Sequence, residues 1–182
     1  GDAKAQTQLG VLYANGQGVP QDYAKARQWY EQAAAQGYAR AQNFLGVLYS
    51  KGQGVPRDYT TARQWYEKAA AQGNENAQNN LGVLYFEGKG VPQDYTKARQ
   101  WYEQAAAQGH ATAQSNLGIM YGNGNGVPQD YTKARQWYEK AAAQDNQGGQ
   151  YNLGGLYFSG WGVPQDYAMA RQWWEKAAAQ GY

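Results

Sequence analysis

His110 is the single histidine of this chain and there is no cysteine, which leaves few routes to chemistry. A serine hydrolase needs a nucleophile, a base and an orienting acid held together. The nearest serine, Ser115, sits roughly one and a half helical turns along, too far to complete such a set. One histidine without cysteine also falls short of a transition-metal site, so neither metal nor cofactor is expected. Carboxylates are more plentiful, with 14 Asp and Glu against 16 Lys and Arg. Ten of the 14 recur at a fixed interval, five as Asp22, Asp58, Asp94, Asp130 and Asp166 and five as Glu31, Glu67, Glu103, Glu139 and Glu175. The aspartates read as helix caps, and each glutamate follows an arginine by four residues, as Glu31 follows Arg27. The other acids, Asp2, Glu75, Glu87 and Asp145, are scattered and form no convergent pair of the kind glycoside hydrolysis uses. The run Gly16-Gln17-Gly18-Val19-Pro20 lacks the Lys-Ser/Thr of a phosphate-binding loop and returns five times, as a turn would. No catalytic residue is expected.

The interval itself defines the elements. Trp29, Trp65, Trp101, Trp137 and Trp173 recur every thirty-six residues, and so do Pro20, Pro56, Pro92, Pro128 and Pro164. Five such units account for all but two of the 182 residues, which predicts a repeat array. The repeats run 2–37, 38–73, 74–109, 110–145 and 146–181, and the array 1–182 is expected to form one domain. Gly1 matches a closing glycine and Tyr182 an opening residue, so a longer parent array, with any leader removed from view, is expected.

Each unit reads as two helices. Helix A covers about Ala3 to Asn15, with Leu9, Leu12 and Tyr13 at helical spacing and Gly16 to end it. Asp2, Asn74 and Asn146 suit its N-cap; Tyr38 and His110 fill that slot less well. Pro20 holds Val19 extended, Asp22 caps helix B, and Tyr23 to Gln36 form it with Ala26, Tyr30, Ala33 and Ala34 on one face. One such hairpin buries too little to stand alone, so the units must stack, with tryptophan and tyrosine rings filling the junctions. The predicted fold class is all-α: an α/α superhelix (solenoid) of five helix-turn-helix repeats, about ten antiparallel helices in a right-handed stack. A net charge of +2 argues against nucleic acid as partner, and no stretch approaches the roughly 20 apolar residues of a membrane span.

The motifs Leu9-Gly10, Leu12-Tyr13, Gly16-Gln17-Gly18-Val19-Pro20, Asp22-Tyr23 and Trp29-Tyr30-Glu31, each returning four more times, resemble the Sel-1-like repeat family of tetratricopeptide-like proteins. The resemblance covers essentially the whole chain. It implies an open superhelix that serves as an adaptor for protein partners, often in bacteria. Because some bacterial members are exported, it favours periplasm or secretion over cytoplasm. A cysteine-rich group of the family has been linked to β-lactam binding, and a chain without cysteine inherits nothing from that group.

If the shared residues build the stack, the residues that vary between units are free to bind. Helix A offsets carried over from tetratricopeptide-like repeats place these in a concave groove. The expected groove residues are Lys4, Arg40, Asn43, Lys51, Asn79, Phe86, Glu87, Ser115, Asn123, Tyr151, Phe158 and, from the fifth loop, Trp161. Lys4, Arg40 and Lys51 would steer an acidic segment, Asn43 and Asn79 would contact its backbone, and Phe86, Tyr151 and Phe158 would anchor it. Gly155, where other units carry Val or Ile, leaves room between Tyr151 and Phe158. Phe44 and Tyr38 read as local packing. The leading function is a scaffold for an extended peptide or protein loop. One alternative is small-molecule or cell-wall glycan binding at the aromatic C-terminal end; another is head-to-tail self-association.

Overall fold

A computed structural model describes residues 1–180; Gly181, which closes the fifth repeat, and Tyr182 lie outside the described residues. The described residues form ten helices and no strand, an all-α fold of helical repeats. They fall into two compact units, Gly1–Gln93 and the stretch from Asp94 onward. Unit 1 holds α1 (Ala3–Asn15), α2 (Tyr23–Ala35), α3 (Ala39–Lys51), α4 (Tyr59–Ala70) and α5 (Glu75–Glu87). Unit 2 holds α6 (Tyr95–Ala107), α7 (Ala111–Asn123), α8 (Tyr131–Ala142), α9 (Gln147–Ser159) and α10 (Tyr167–Ala178).

Side-chain caps set where the helices begin. Asp2 accepts from the amides of Lys4 and Ala5 at 3.3 and 3.0 Å, and Asp22 accepts from that of Lys25 at 2.9 Å. His110 fills the same slot: its Nδ1 accepts from the Ala113 amide at 3.1 Å, against 2.9 Å from the Ala77 amide to Asn74 Oδ1. Tyr38 supplies no side-chain cap, as expected. Gly16, at φ 68°, ends α1 in the left-handed conformation that glycine adopts without strain. The chain then folds back, and the Asp22 amide donates to the Tyr13 carbonyl at 2.9 Å, a bond repeated from Asp58 to Tyr49, Asp130 to Tyr121 and Asp166 to Tyr157.

A glutamine pair closes the opposite end of the hairpins α1–α2, α3–α4, α7–α8 and α9–α10. Gln36 Nε2 donates to Gln6 Oε1 at 2.6 Å, and Gln72, Gln144 and Gln180 do the same to Gln42, Gln114 and Gln150 at 2.8 to 2.9 Å. The start of helix A therefore meets the end of helix B, and the two run antiparallel. Gln42, Gln114 and Gln150 are buried, so these bonds satisfy amides that would otherwise be costly inside the stack.

Packing rests on small residues facing rings. A Cβ at Gly46, in the middle of α3, would overlap the Tyr66 ring of α4, and the same holds for Gly10 with Tyr30 and Gly118 with Tyr138. At the α2–α3 junction Ala26, Tyr30, Ala33 and Ala34 bury against Ala41, Leu45 and Leu48. Leu45 is 0% exposed, whereas the equivalent Leu9 of α1 is 37% exposed. In unit 2, Ala134, Tyr138 and Ala142 meet Leu153, Leu156 and Val163 in the same way.

The tryptophans pack against the rim of the core and not inside it. Trp65, Trp137 and Trp173 are half-buried, each with a lysine ammonium (Lys68, Lys140, Lys176) 4.3 to 4.4 Å from its ring centroid. Core filling falls to the tyrosines and leucines. The arginine–glutamate pairs are scaffold, as expected, with Arg27–Glu31 at 3.4 Å and Arg135–Glu139 at 3.5 Å.

Two measurements check this packing. Gly46→Ala gains about 1 kcal/mol of helix propensity but overpacks the Tyr66 ring at a cost of about 1–3 kcal/mol, so urea denaturation should show a net loss of about 1 kcal/mol. Burial pushes the Tyr30 and Tyr66 phenols up to about 12, against an unfolded value of about 10. Their contribution to stability is therefore complete below about pH 10 and lost as pH rises toward 12. Unfolding followed by helical circular dichroism should set in across that window, together with phenolate absorbance.

Candidate functional site

Where helix A and helix B of one repeat meet helix A of the next, the stack leaves a cleft, and the same cleft recurs in register. Between the first two repeats it measures about 310 Å³ and is framed by Tyr23, Tyr30 and Leu48. Val11, Ala14 and Asn15 of α1, Arg40, Phe44, Val47 and Lys51 of α3, and Gln53 of the following loop complete it. Between the second and third repeats, Tyr59, Tyr66 and Leu84 frame about 170 Å³ with Ser50, Asn80, Val83, Glu87 and Lys89. In unit 2, Tyr131, Tyr138 and Leu156 frame about 200 Å³. That third cleft is lined by Gly122, Asn123, Asn152, Gly155, Ser159 and Trp161, with Tyr151 and Trp174 added. The frame tyrosines and leucine occupy one repeat position each. The rest of the lining changes.

Those changes give each cleft its own electrostatics. Arg40 and Lys51 make the first cleft cationic, and no carboxylate lines it. The Arg40 guanidinium lies 5.6 Å from the Phe44 ring centroid, and Phe44 stacks on Tyr30 at 5.0 Å and 20°. The second cleft neutralises itself. Glu87 Oε2 pairs with Lys89 Nζ at 2.7 Å and, through that hydrogen bond and its charge, raises the lysine above its ordinary range. There the Tyr66 hydroxyl also finds a partner, Ser50 Oγ at 3.1 Å. No charged side chain lines the third cleft. Its wall is aromatic, with the half-exposed Trp161 stacked on Tyr131 at 5.0 Å and 25°. A Cβ added at Gly155 would meet no atom within 4 Å, so the floor is open where Val or Ile stands in other repeats.

Of the residues the sequence proposed, Arg40 and Lys51 line the first cleft, Glu87 the second, and Asn123, Tyr151 and Trp161 the third. Six others need correction. Asn43, Asn79 and Ser115 are only 6, 7 and 5% exposed. Asn43 Oδ1 there accepts from Asn80 Nδ2 at 3.1 Å. Lys4 is exposed but outside the first cleft, and Phe86 is half-buried and lines neither cleft of unit 1. Phe158 does not share a cleft with Tyr151. It lies across Trp174, 5.4 Å from that ring and 5.3 Å from Tyr167, in a shallow apolar groove with Arg171 and Ala178. Phe44, set aside as local packing, lines the first cleft and carries Arg40. The loop position shared by Gln53, Lys89 and Trp161 is variable in the sequence, and its residues line all three clefts.

No group of residues suited to a metal ion occurs among the described residues, and none of their helices is long and apolar enough to cross a membrane. The Sel1 repeat model matches five times, at residues 3–38, 39–74, 76–110, 111–146 and 148–182. The chain belongs to the Sel1 repeat family. Sel1 repeat proteins generally mediate protein–protein interaction and are typically non-enzymatic. Among solved structures, the chain is similar to a protective antigen present in uropathogenic Escherichia coli strains that displays an SLR fold, at 43% identity and a TM-score of 0.86. That match covers 99% of this chain and 38% of the antigen, so this Sel1 repeat chain spans well under half the length of that protein. A Sel1 repeat protein from Oxalobacter formigenes is 38% identical with a TM-score of 0.91, over 99% of this chain and 72% of the other. One from Klebsiella pneumoniae subsp. pneumoniae is 27% identical with a TM-score of 0.68, over 100% and 88%. No curated protein matches the chain.

The open floor of the third cleft makes a simple prediction. Gly155→Val restores the side chain of other Sel1 repeats without a clash and improves helix propensity, so stability should rise by a few tenths of a kcal/mol. A thermal or urea midpoint below that of the parent chain would show that the space is not open.

Proposed function

We propose that this Sel1 repeat chain is a non-catalytic scaffold that grips an extended peptide or protein loop through its junction clefts. The observation that carries this reading is the cleft itself. A fixed tyrosine–tyrosine–leucine frame returns at three described junctions with a different lining each time. That is the arrangement of a surface that reads several side chains of one partner, and it offers no convergent set of reacting groups. Of the three functions drawn from the sequence, protein binding is the one the family supports.

The main anchor site in this reading is the third cleft. Binding energy concentrates where a partner side chain enters an aromatic pocket, and truncating such a contact costs about 2 kcal/mol or more. Tyr151 and Trp161 form the exposed walls and Gly155 the floor. Tyr151→Ala with Trp161→Ala should weaken partner binding roughly thirtyfold, mainly by faster dissociation, with helical circular dichroism unchanged. The measurement is biolayer kinetics against peptides selected from a display library. Parent-like dissociation from the folded double variant would place the partner elsewhere. Selection of a glycan in a parallel array, with no peptide enriched, would replace the scaffold reading.

A further inference from the structure

The first cleft differs from its two counterparts in carrying charge that no carboxylate among the described residues pairs with. Arg40 and Lys51 line it, neither forms an ion pair among the described residues, and no Asp or Glu lines the cleft. At the second junction the same arrangement is closed from within, since Glu87 at the position of Lys51 holds Lys89 at 2.7 Å. At the third the positions of Arg40 and Lys51 are Gly148 and Ser159, and the cleft has no charge.

Three further features give the first cleft a definite chemistry. The Arg40 guanidinium lies near the Phe44 ring, which limits its freedom and leaves its planar fork to meet a planar acceptor. Tyr30 is 2% exposed, lines the cleft, and its hydroxyl has no hydrogen-bond partner among the described residues. Burial keeps that phenol protonated far above neutral pH, so it is a fixed donor. Val11 and Val47 supply an apolar wall against which a short methylene stem packs.

We infer that the first cleft is a carboxylate subsite, which takes an Asp or Glu side chain of the partner peptide between Arg40, Lys51 and the Tyr30 hydroxyl. The inference rests on the scaffold reading above and adds to it the chemistry of one partner residue. Charge complementarity selects an anion, and the apolar wall with a flat guanidinium fork favours a carboxylate on a methylene stem over a tetrahedral phosphate. The exposed heads of Arg40 and Lys51 also make association faster at low salt.

The test is positional selection on the full chain with a library of short, end-blocked peptides in which each position samples Asp, Glu, Asn, Gln, phosphoserine and apolar residues. The parent chain should enrich Asp or Glu over their amides at one position by about tenfold or more, the worth of one charge-assisted contact. Arg40→Gln with Lys51→Gln should erase that preference while keeping the apolar preference that depends on Tyr151 and Trp161. Both substitutions are at exposed positions, and circular dichroism confirms the fold before selection. Enriched peptides without an acidic position, an acidic position that survives the double variant, or phosphoserine chosen over both carboxylates would each overturn the carboxylate subsite and leave the scaffold standing. A library from which no peptide is enriched overturns the scaffold, and the subsite with it.

Discussion

An aromatic ring packed directly against a helical glycine is the contact on which the rest of this protein depends. Tyr30 meets Gly10, Tyr66 meets Gly46 and Tyr138 meets Gly118, each so closely that the glycine has no room for a Cβ. Trp174 takes the tyrosine's place against Gly154, where a Cβ would lie 2.6 Å from the indole. The contact sets how near the two helices of a hairpin approach. That distance in turn lets the ring's far side join Ala26, Ala33 and the leucines of the next repeat, as Leu45 and Leu48 do at 0 and 3% exposure. Glycine costs helix propensity at each such site, and the buried ring and leucines of the junction offset it.

The same contact creates the clefts. A tyrosine pinned on its hairpin partner cannot move to fill the space beside it, so a gap persists at each described junction. Only the variable positions around the gap decide its size and charge. Ala14, Ser50 and Gly122 occupy one such position, Phe44, Asn80 and Asn152 another, and Gln53, Lys89 and Trp161 a third. The frame and the lining thereby fall to different residues of one short unit, and the proposed recognition role falls to the lining. Changes of lining, such as Lys51 against Glu87 against Ser159, leave the frame intact.

Most of the fold was legible in the sequence because it depends on residues whose effect is local. Asp22 caps, Gly16 turns left-handed and Pro20 blocks helix continuation whatever surrounds them, so the helix limits followed from spacing alone. The site was less legible because a groove is a relation between repeats. On a helical wheel Asn43 and Arg40 share a face, but a neighbouring helix buries Asn43 and leaves Arg40 open. Phe158 was paired with Tyr151 by its two-turn spacing, yet Trp174 stands between them. The glutamine that recurs as Gln6, Gln42, Gln78, Gln114 and Gln150 looks like surface in the sequence, because a polar residue of helix A shows its role only beside its partner at the end of helix B. His110 is a weaker cap candidate than Asn74 by residue type, and its Nδ1 nonetheless accepts from the Ala113 amide.

The central claim is that cleft lining, on a fixed frame, dictates what each junction binds. Its most direct test moves one lining onto another frame. Gly122→Ala, Gly148→Arg, Tyr151→Asn, Asn152→Phe, Gly155→Val, Ser159→Lys and Trp161→Gln together give the third cleft the variable residues found at those repeat positions around the first, and peptide selection then reads the outcome. The account predicts a folded protein in which the aromatic-dependent preference of the third cleft is replaced by a second acidic preference. A folded variant whose peptide selection is the same as the parent's would contradict it.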